Sequence, residues 1–373
     1  MVEGLPQRFS VPDGYRRDID GLRAIAVVAV VAYHAGMPGV SGGFVGVDVF
    51  FVISGFLITG LLLRELGATG SISMADFYMR RIRRLAPALV VVLAAVLLLG
   101  AIYLTPVGGE QQGLAKSTIA TLALASNLYF ASTTGGYFDE AAEMQPRLHT
   151  WSLSVEEQFY LVWPAFLLFG ARAALRRETD LVRRMTVALA AVFFFSLSLS
   201  IATTSLHAQF SFYSPFTRAW EFAAGGLALL FVQETRVPVS LARALSWIGV
   251  GLVVYSVWTF DSGMPFPGYL ALVPVLGAVA IIVGGERVPA TLTNRILSSK
   301  PFVFVGLISY PLYLWHWPIL VIARINAVDG IESWEAGGLC ALATALAALT
   351  YRYVEQPVRY RRASWFASRA SLR

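Results

Sequence analysis

Arg23 and His34 have ten residues between them in an otherwise apolar run. On a helix, eleven steps of 100° come to about 20° from three full turns, so both side chains project from one face, ~16 Å apart along the axis. They cannot touch: one sits at a membrane boundary, the other about halfway across or beyond, where an ionisable group is costly and usually functional. A neutral imidazole, with an ordinary pKa of ~6.5, accepts a proton near neutrality. A hydroxyl attacking a thioester carbonyl must lose its proton in the transition state, and His34 suits the general base for that step. The plainer account is a snorkelling arginine and a histidine bonded to a neighbouring helix. Such a base works best when its second ring nitrogen is held by an acid, and Glu156 and Glu157 are the candidates.

Those acids lie in Leu148-His149-Thr150-Trp151-Ser152-Leu153-Ser154-Val155-Glu156-Glu157-Gln158-Phe159-Tyr160. Helical spacing puts Ser152, Glu156 and Tyr160 on a common face. The same residues also read as a helix start, with a serine cap and acids favoured by the dipole. Upstream, Arg80, Arg81, Arg83 and Arg84 occupy four of five positions just before an apolar run. They mark topology. Arg81 and Arg84 also project together, and guanidinium forks suit phosphate oxygens, as an acyl-coenzyme A donor would require.

Farther along, Ser309-Tyr310-Pro311-Leu312-Tyr313-Leu314-Trp315-His316-Trp317 holds a second histidine in an apolar run. Its tryptophans fit an interfacial belt, while Tyr313 and His316, three apart, form a pair that can face a bundle interior. Asp48 is the sole acid of a glycine-dense apolar run. Close helix approach explains the glycines, and a polar pocket wall is the sharper reading of the acid. Near the C-terminus, Glu355 can pair with Arg359 while Pro357 ends the helix.

The elements that must position these residues are membrane helices. The 373 residues are 57% hydrophobic and only 14% charged, with a mean hydropathy of +0.64, against ~25% charged in soluble domains. About 20 apolar residues cross a ~30 Å core, and ten spans are expected near 21–37, 43–65, 85–105, 150–170, 185–203, 216–233, 245–261, 268–284, 302–323 and 335–354. If 114–131 does not cross, every arginine-rich loop falls on one side, as the positive-inside rule requires. The expectation is therefore an all-α membrane bundle with both termini cytoplasmic and 114–131 as a re-entrant or surface helix. It divides into a cytoplasmic segment 1–20, a membrane domain 21–358 and a basic tail 359–373.

The net charge of +6 sits in short inter-span clusters, which speaks for topology rather than nucleic acid. The basic start followed by Ala24 to Tyr33 reads as an uncleaved first span rather than a secretory signal. One cysteine and four scattered histidines argue against a disulfide framework or a metal site, and no Walker loop, dinucleotide fingerprint or zinc-protease pair occurs. On the residues alone, a transporter or flippase with a buried Arg/His route competes with an enzyme. Since no cysteine or serine nucleophile arrangement is evident, direct transfer is the expected route for an enzyme.

Together, from Asp20-Gly21-Leu22-Arg23 to Glu355-Gln356-Pro357, these segments resemble the membrane-bound acyltransferase family 3, which includes bacterial O-antigen and cell-wall glycan O-acetyltransferases. The family's arginine, ten residues, histidine signature is matched by Arg23 and His34, and its arginine-x-x-arginine signature by Arg81 and Arg84. Its Trp-x-Leu-x-x-Glu-x-x-Phe-Tyr segment is matched by Trp151, Leu153, Glu156, Phe159 and Tyr160. The resemblance implies ten membrane helices in a bacterial plasma membrane, acetyl-coenzyme A as cytoplasmic donor, and a hydroxyl of a cell-surface or lipid-linked glycan as acceptor. With the residue readings above, the expected site is Arg23, Arg81 and Arg84 on the donor, His34 and Glu156 in catalysis, and Asp48, Trp151, Tyr160, Tyr313 and His316 around the pocket. The detailed pattern is that of the subgroup that usually continues into a further span and an outer SGNH hydrolase-like domain. This sequence stops at Arg373, so the expectation is either a stand-alone or shortened form or a chain whose remainder lies beyond it.

Overall fold

The structure is a computed structural model, described for residues 15–176, 180–286, 291–327 and 330–360. Most of the segments expected at 1–20 and 359–373 therefore lie outside the described residues. Among the described residues the chain is helix and turn with no strand. In order, the helices are α1 (Arg17–His34), α2 (Gly46–Thr69), α3 (Met74–Tyr103), α4 (Glu110–Leu122), α5 (Ser126–Thr133), α6 (Glu140–Glu143), α7 (Thr150–Arg176), α8 (Leu181–Thr204) and α9 (Ala208–Tyr213). They continue with α10 (Pro215–Glu234), α11 (Val239–Thr259), α12 (Leu272–Gly285), α13 (Leu292–Leu297), α14 (Lys300–Leu307), α15 (Ser309–Asn326), α16 (Ser333–Thr350) and α17 (Gln356–Arg359).

Each expected span coincides with one helix, or for 302–323 with the pair α14 and α15, which meet at a 66° bend. Among the described residues, five helices are long and apolar enough to cross a membrane unaided, or six if the bent pair counts as one crossing. Length and composition alone thus support five or six of the ten expected crossings. The remaining four segments differ for physical reasons. At 1.5 Å per residue the 14 residues of α12 reach only ~21 Å, and α1, α7 and α10 carry the ionisable side chains that line or support the interior. The stretch 114–131 divides into α4 and α5 at Leu124, whose backbone is left-handed. Neither piece is long enough to span ~30 Å.

Helix α2 is the hub. Its apolar window is 78% buried, against 22–28% for α3, α8, α11 and α16, whose outward faces carry side chains such as Leu98, Ile102, Phe195 and Trp258, as lipid contact requires. Close approach to α10 depends on two glycines: a Cβ on Gly55 would strike the Phe222 backbone, and one on Gly225 the Val52 backbone. This is the small-residue packing by which membrane helices gain van der Waals contact without a hydrophobic driving force. At the bend before α15, Gly306 lies against the Asp20 backbone of α1, and the Tyr310 hydroxyl donates to the Leu85 carbonyl of α3 at 3.0 Å. The bend turns Ser309, Tyr310 and Tyr313 into the interior.

Candidate active site

A wide vestibule of about 530 Å³ opens between α1, α2, α3 and the C-terminal turn. Five arginines (Arg16, Arg23, Arg64, Arg84 and Arg359) and three carboxylates (Asp20, Glu286 and Glu355) line it, so its field favours an anion. Several of these cations are committed: Arg16 pairs with Asp18 and Glu286, and Arg23 pairs with Asp20 at 3.1 Å. Arg84 differs. Among the described residues, neither Arg81 nor Arg84 has a carboxylate within ion-pair distance.

A narrow cavity of about 80 Å³ continues inward, sharing Arg23, Leu57 and Arg84 with the vestibule. Arg81 lines its wall, with the guanidinium 4.8 Å from the Tyr160 ring centre. The Glu156 carboxylate accepts from both Ser54 and Tyr160, and Tyr160 lies 3.1 Å from Ser54 Oγ. Ser152, Ser309, Tyr310 and Tyr313 also line the cavity; the Ser152 and Tyr313 hydroxyls are 2.7 Å apart, and Tyr313 also donates to the His149 carbonyl at 2.8 Å.

Behind Tyr313 lies the imidazole cluster. His316, fully buried, has its ring centre 5.4 Å from that of Tyr313. The His34 ring stacks on it at 5.2 Å, with Nδ1 3.0 Å from His316 Nε2. The other nitrogen of His34, Nε2, is 3.1 Å from the Tyr137 hydroxyl. His34 is the last residue of α1, where the dipole favours a basic group, and its carbonyl accepts from Arg324. Trp317 closes edge-on against the His34 ring at 4.4 Å. Tyr137 belongs to the connection between α5 and α6. Its ring stacks on Phe212 at 4.4 Å and meets Trp151 at 5.9 Å, and burial pushes its phenol well above the ordinary value. The hydroxyl stays protonated, and which partner donates in this contact is set by the tautomer of His34.

The structure therefore gathers Arg23, Arg81, Arg84, Glu156, Tyr160 and Tyr313 on one cavity, and His34 with His316 just beyond it. It does not bring Glu156 to His34: that carboxylate is occupied by Ser54 and Tyr160, and the second nitrogen of His34 faces an imidazole instead. Asp48 does not line either cavity. It pairs with Arg218 at 2.8 Å, Arg218 also holds Glu221 at 2.7 Å, and all three are buried. Trp151 covers this ion cluster, 5.7 Å from the Arg218 guanidinium, and backs Tyr137 rather than lining the cavity.

Tyr137, Ser54, Arg218, Glu221 and Arg324 were not singled out from sequence. Arg218 and Glu221 carried a usable signal, an ionisable pair three apart inside an apolar run. Tyr137 offered only its place after Gly135-Gly136 in a loop. Among the described residues no group of three or more His, Cys, Asp or Glu side chains could hold a metal ion.

Fold and site define an all-helical membrane protein whose buried ionisable groups are gathered between its helices. Residues 16–352 match the family model described as Acyltransferase domain, and the chain belongs to that family. It is similar to the peptidoglycan O-acetyltransferase OatA of Listeria monocytogenes, 32% identical over 362 residues that cover 92% of this chain and 56% of that protein. It is likewise similar to the O-acetyltransferase OatA of Staphylococcus aureus, 32% identical over 363 residues, 92% of this chain and 57% of that protein. The chain thus spans a little over half the length of these curated relatives. No solved structure matches it.

Proposed function

We propose that this protein is a membrane O-acetyltransferase that takes acetyl from cytoplasmic acetyl-coenzyme A and delivers it toward a hydroxyl of a cell-surface or lipid-linked glycan. The observation that carries the reading is the 3.1 Å contact between His34 Nε2 and the Tyr137 hydroxyl, just behind a cavity whose other end bears Arg81 and Arg84. The vestibule suits a nucleotide and its phosphates, and the narrow cavity suits an extended thioester arm. His34 removes the proton of the attacking hydroxyl as the carbonyl carbon is attacked. The names of the relatives, both O-acetyltransferases and one of them acting on peptidoglycan, support the acetyl group and the glycan acceptor.

Two routes share this chemistry. In direct transfer, the acceptor hydroxyl occupies the position beside His34 Nε2. The Tyr137 contact favours a second route, in which Tyr137 Oη attacks the thioester while its proton passes to His34. The C–S bond breaks, coenzyme A leaves as the thiol with that proton, and an acetyl-tyrosine remains for the acceptor hydroxyl to displace. The ten-crossing path with cytoplasmic termini belongs to the same proposal. It puts the donor arginines and the acceptor on opposite faces of the bilayer.

The test is purified protein in lipid supplied with labelled acetyl-coenzyme A and a glycan extract. Coenzyme A release with label on glycan supports an acetyltransferase. Solute or proton movement without acetyl transfer would establish the transporter reading instead. For topology, Ala173→Cys in a Cys340→Ala background is expected to resist an outer-face thiol label; labelling there would reject the ten-crossing path.

A further inference from the structure

We propose that His316 is a positioning residue: anchored to the Leu312 carbonyl, it fixes the tautomer of His34 so that Nε2 is the bare nitrogen facing Tyr137. The inference rests on His34 being the base of the reaction proposed above, but it makes a claim about the resting protein that can be read without turnover.

One chain of contacts links α15 to Tyr137. A carbonyl oxygen only accepts, and His316 Nδ1 lies 3.1 Å from the carbonyl of Leu312, one turn earlier in α15. A neutral imidazole carries one proton, so it sits on Nδ1, and His316 Nε2 is left with a lone pair. That nitrogen faces His34 Nδ1 at 3.0 Å. Two bare nitrogens would repel in a buried site, where an unmade hydrogen bond carries its full desolvation cost. His34 therefore bears its proton on Nδ1. Its Nε2 is bare, 3.1 Å from the Tyr137 hydroxyl, which burial keeps protonated. All three hydrogen bonds point the same way: Tyr137 to His34, His34 to His316, His316 to the backbone of α15.

The direction of this relay comes from its last member. A backbone carbonyl cannot change from acceptor to donor, whereas either histidine alone could adopt either tautomer. When His34 takes the Tyr137 proton onto Nε2, its Nδ1–H remains bonded to a neutral imidazole that accepts without competing for ionisation. A serine-protease-type triad assigns that task to a carboxylate. In this fold the nearby carboxylate of Glu156 is engaged elsewhere by Ser54 and Tyr160.

The experiment uses the full chain in lipid with histidine labelled at both ring nitrogens. The His34 signals are assigned by loss in His34→Ala, and magnetic resonance then distinguishes protonated from bare nitrogens. The expected result is a His34 protonated at Nδ1 and bare at Nε2. In His316→Phe, which keeps an aromatic ring but offers no acceptor, His34 is expected to become a mixture of tautomers, with kcat down about 100-fold and KM for acetyl-coenzyme A within about threefold. His316→Gln retains an acceptor oxygen and is expected to restore the single tautomer and most of kcat. A wild-type His34 protonated at Nε2 overturns the proposal whatever the activity, as does a folded His316→Phe protein with an unchanged tautomer. Absence of acetyl transfer alongside the expected tautomers would instead remove the reaction and leave the relay standing.

Discussion

The hydroxyl of Tyr313 lies 2.7 Å from Ser152 Oγ, and the Tyr313 ring stands between the arginine-lined cavity and the His316 ring 5.4 Å away. On the proposed route, an acyl group entering from the vestibule would meet this side chain before reaching His34. Tyr313→Ala is therefore expected to widen the acceptable acyl chain, raising the butyryl-to-acetyl rate ratio at least tenfold. Parallel rates with the two coenzyme A thioesters measure it. Tyr313→Trp should act in the opposite sense and slow even acetyl.

Arg84 lines both cavities and, among the described residues, has no carboxylate within ion-pair distance. One charge-assisted hydrogen bond contributes roughly 1.5–3 kcal/mol, and 1.4 kcal/mol is tenfold in an equilibrium constant. Arg84→Ala is expected to raise KM for acetyl-coenzyme A about 10- to 100-fold with kcat changed much less. Arg84→Lys should recover only part, since the fork geometry is lost. A pure kcat effect would place the donor's phosphates elsewhere.

Tyr137→Phe separates the two chemical routes. If the phenol carries acetyl, the variant loses turnover by at least 100-fold, and brief exposure of the wild type to labelled acetyl-coenzyme A leaves base-labile label on Tyr137, read by peptide mass. Near-normal turnover without Tyr137 label would return the mechanism to direct transfer.

Arg218 is one buried cation between two carboxylates, Asp48 and Glu221. Breaking a buried ion pair from one side costs about 3–5 kcal/mol because the partner charge is left uncompensated. Arg218→Met should lower the thermal midpoint in detergent sharply. Asp48→Asn keeps the Arg218–Glu221 pair and should lower it far less. The order of the two midpoints is the measurement, and equal losses would deny Arg218 this central place.

Much of this was legible in the residues. Hydropathy and the placement of arginines are local properties of the chain, so they gave the helical membrane class, the approximate bounds of the long helices and the basic mouth. Helical spacing gave the shared face of Glu156 and Tyr160, which do bond to each other. The order of motifs along the chain matched a family, and the family comparison bears this out.

Only the tertiary structure decided which groups meet. His34 and His316 are 282 residues apart, and His34 and Tyr137 are 103 apart; no periodicity within one helix encodes such pairings. Choosing a carboxylate partner for His34 by chemical type led to Glu156, because sequence shows which residues can bond but not which are already bonded. The same limit applied to Asp48, whose charge is met by an arginine of another helix. Side-chain type and local period are written in the chain one helix at a time. The partner of a buried polar group is set by how the helices pack, where each donor must find an acceptor away from water.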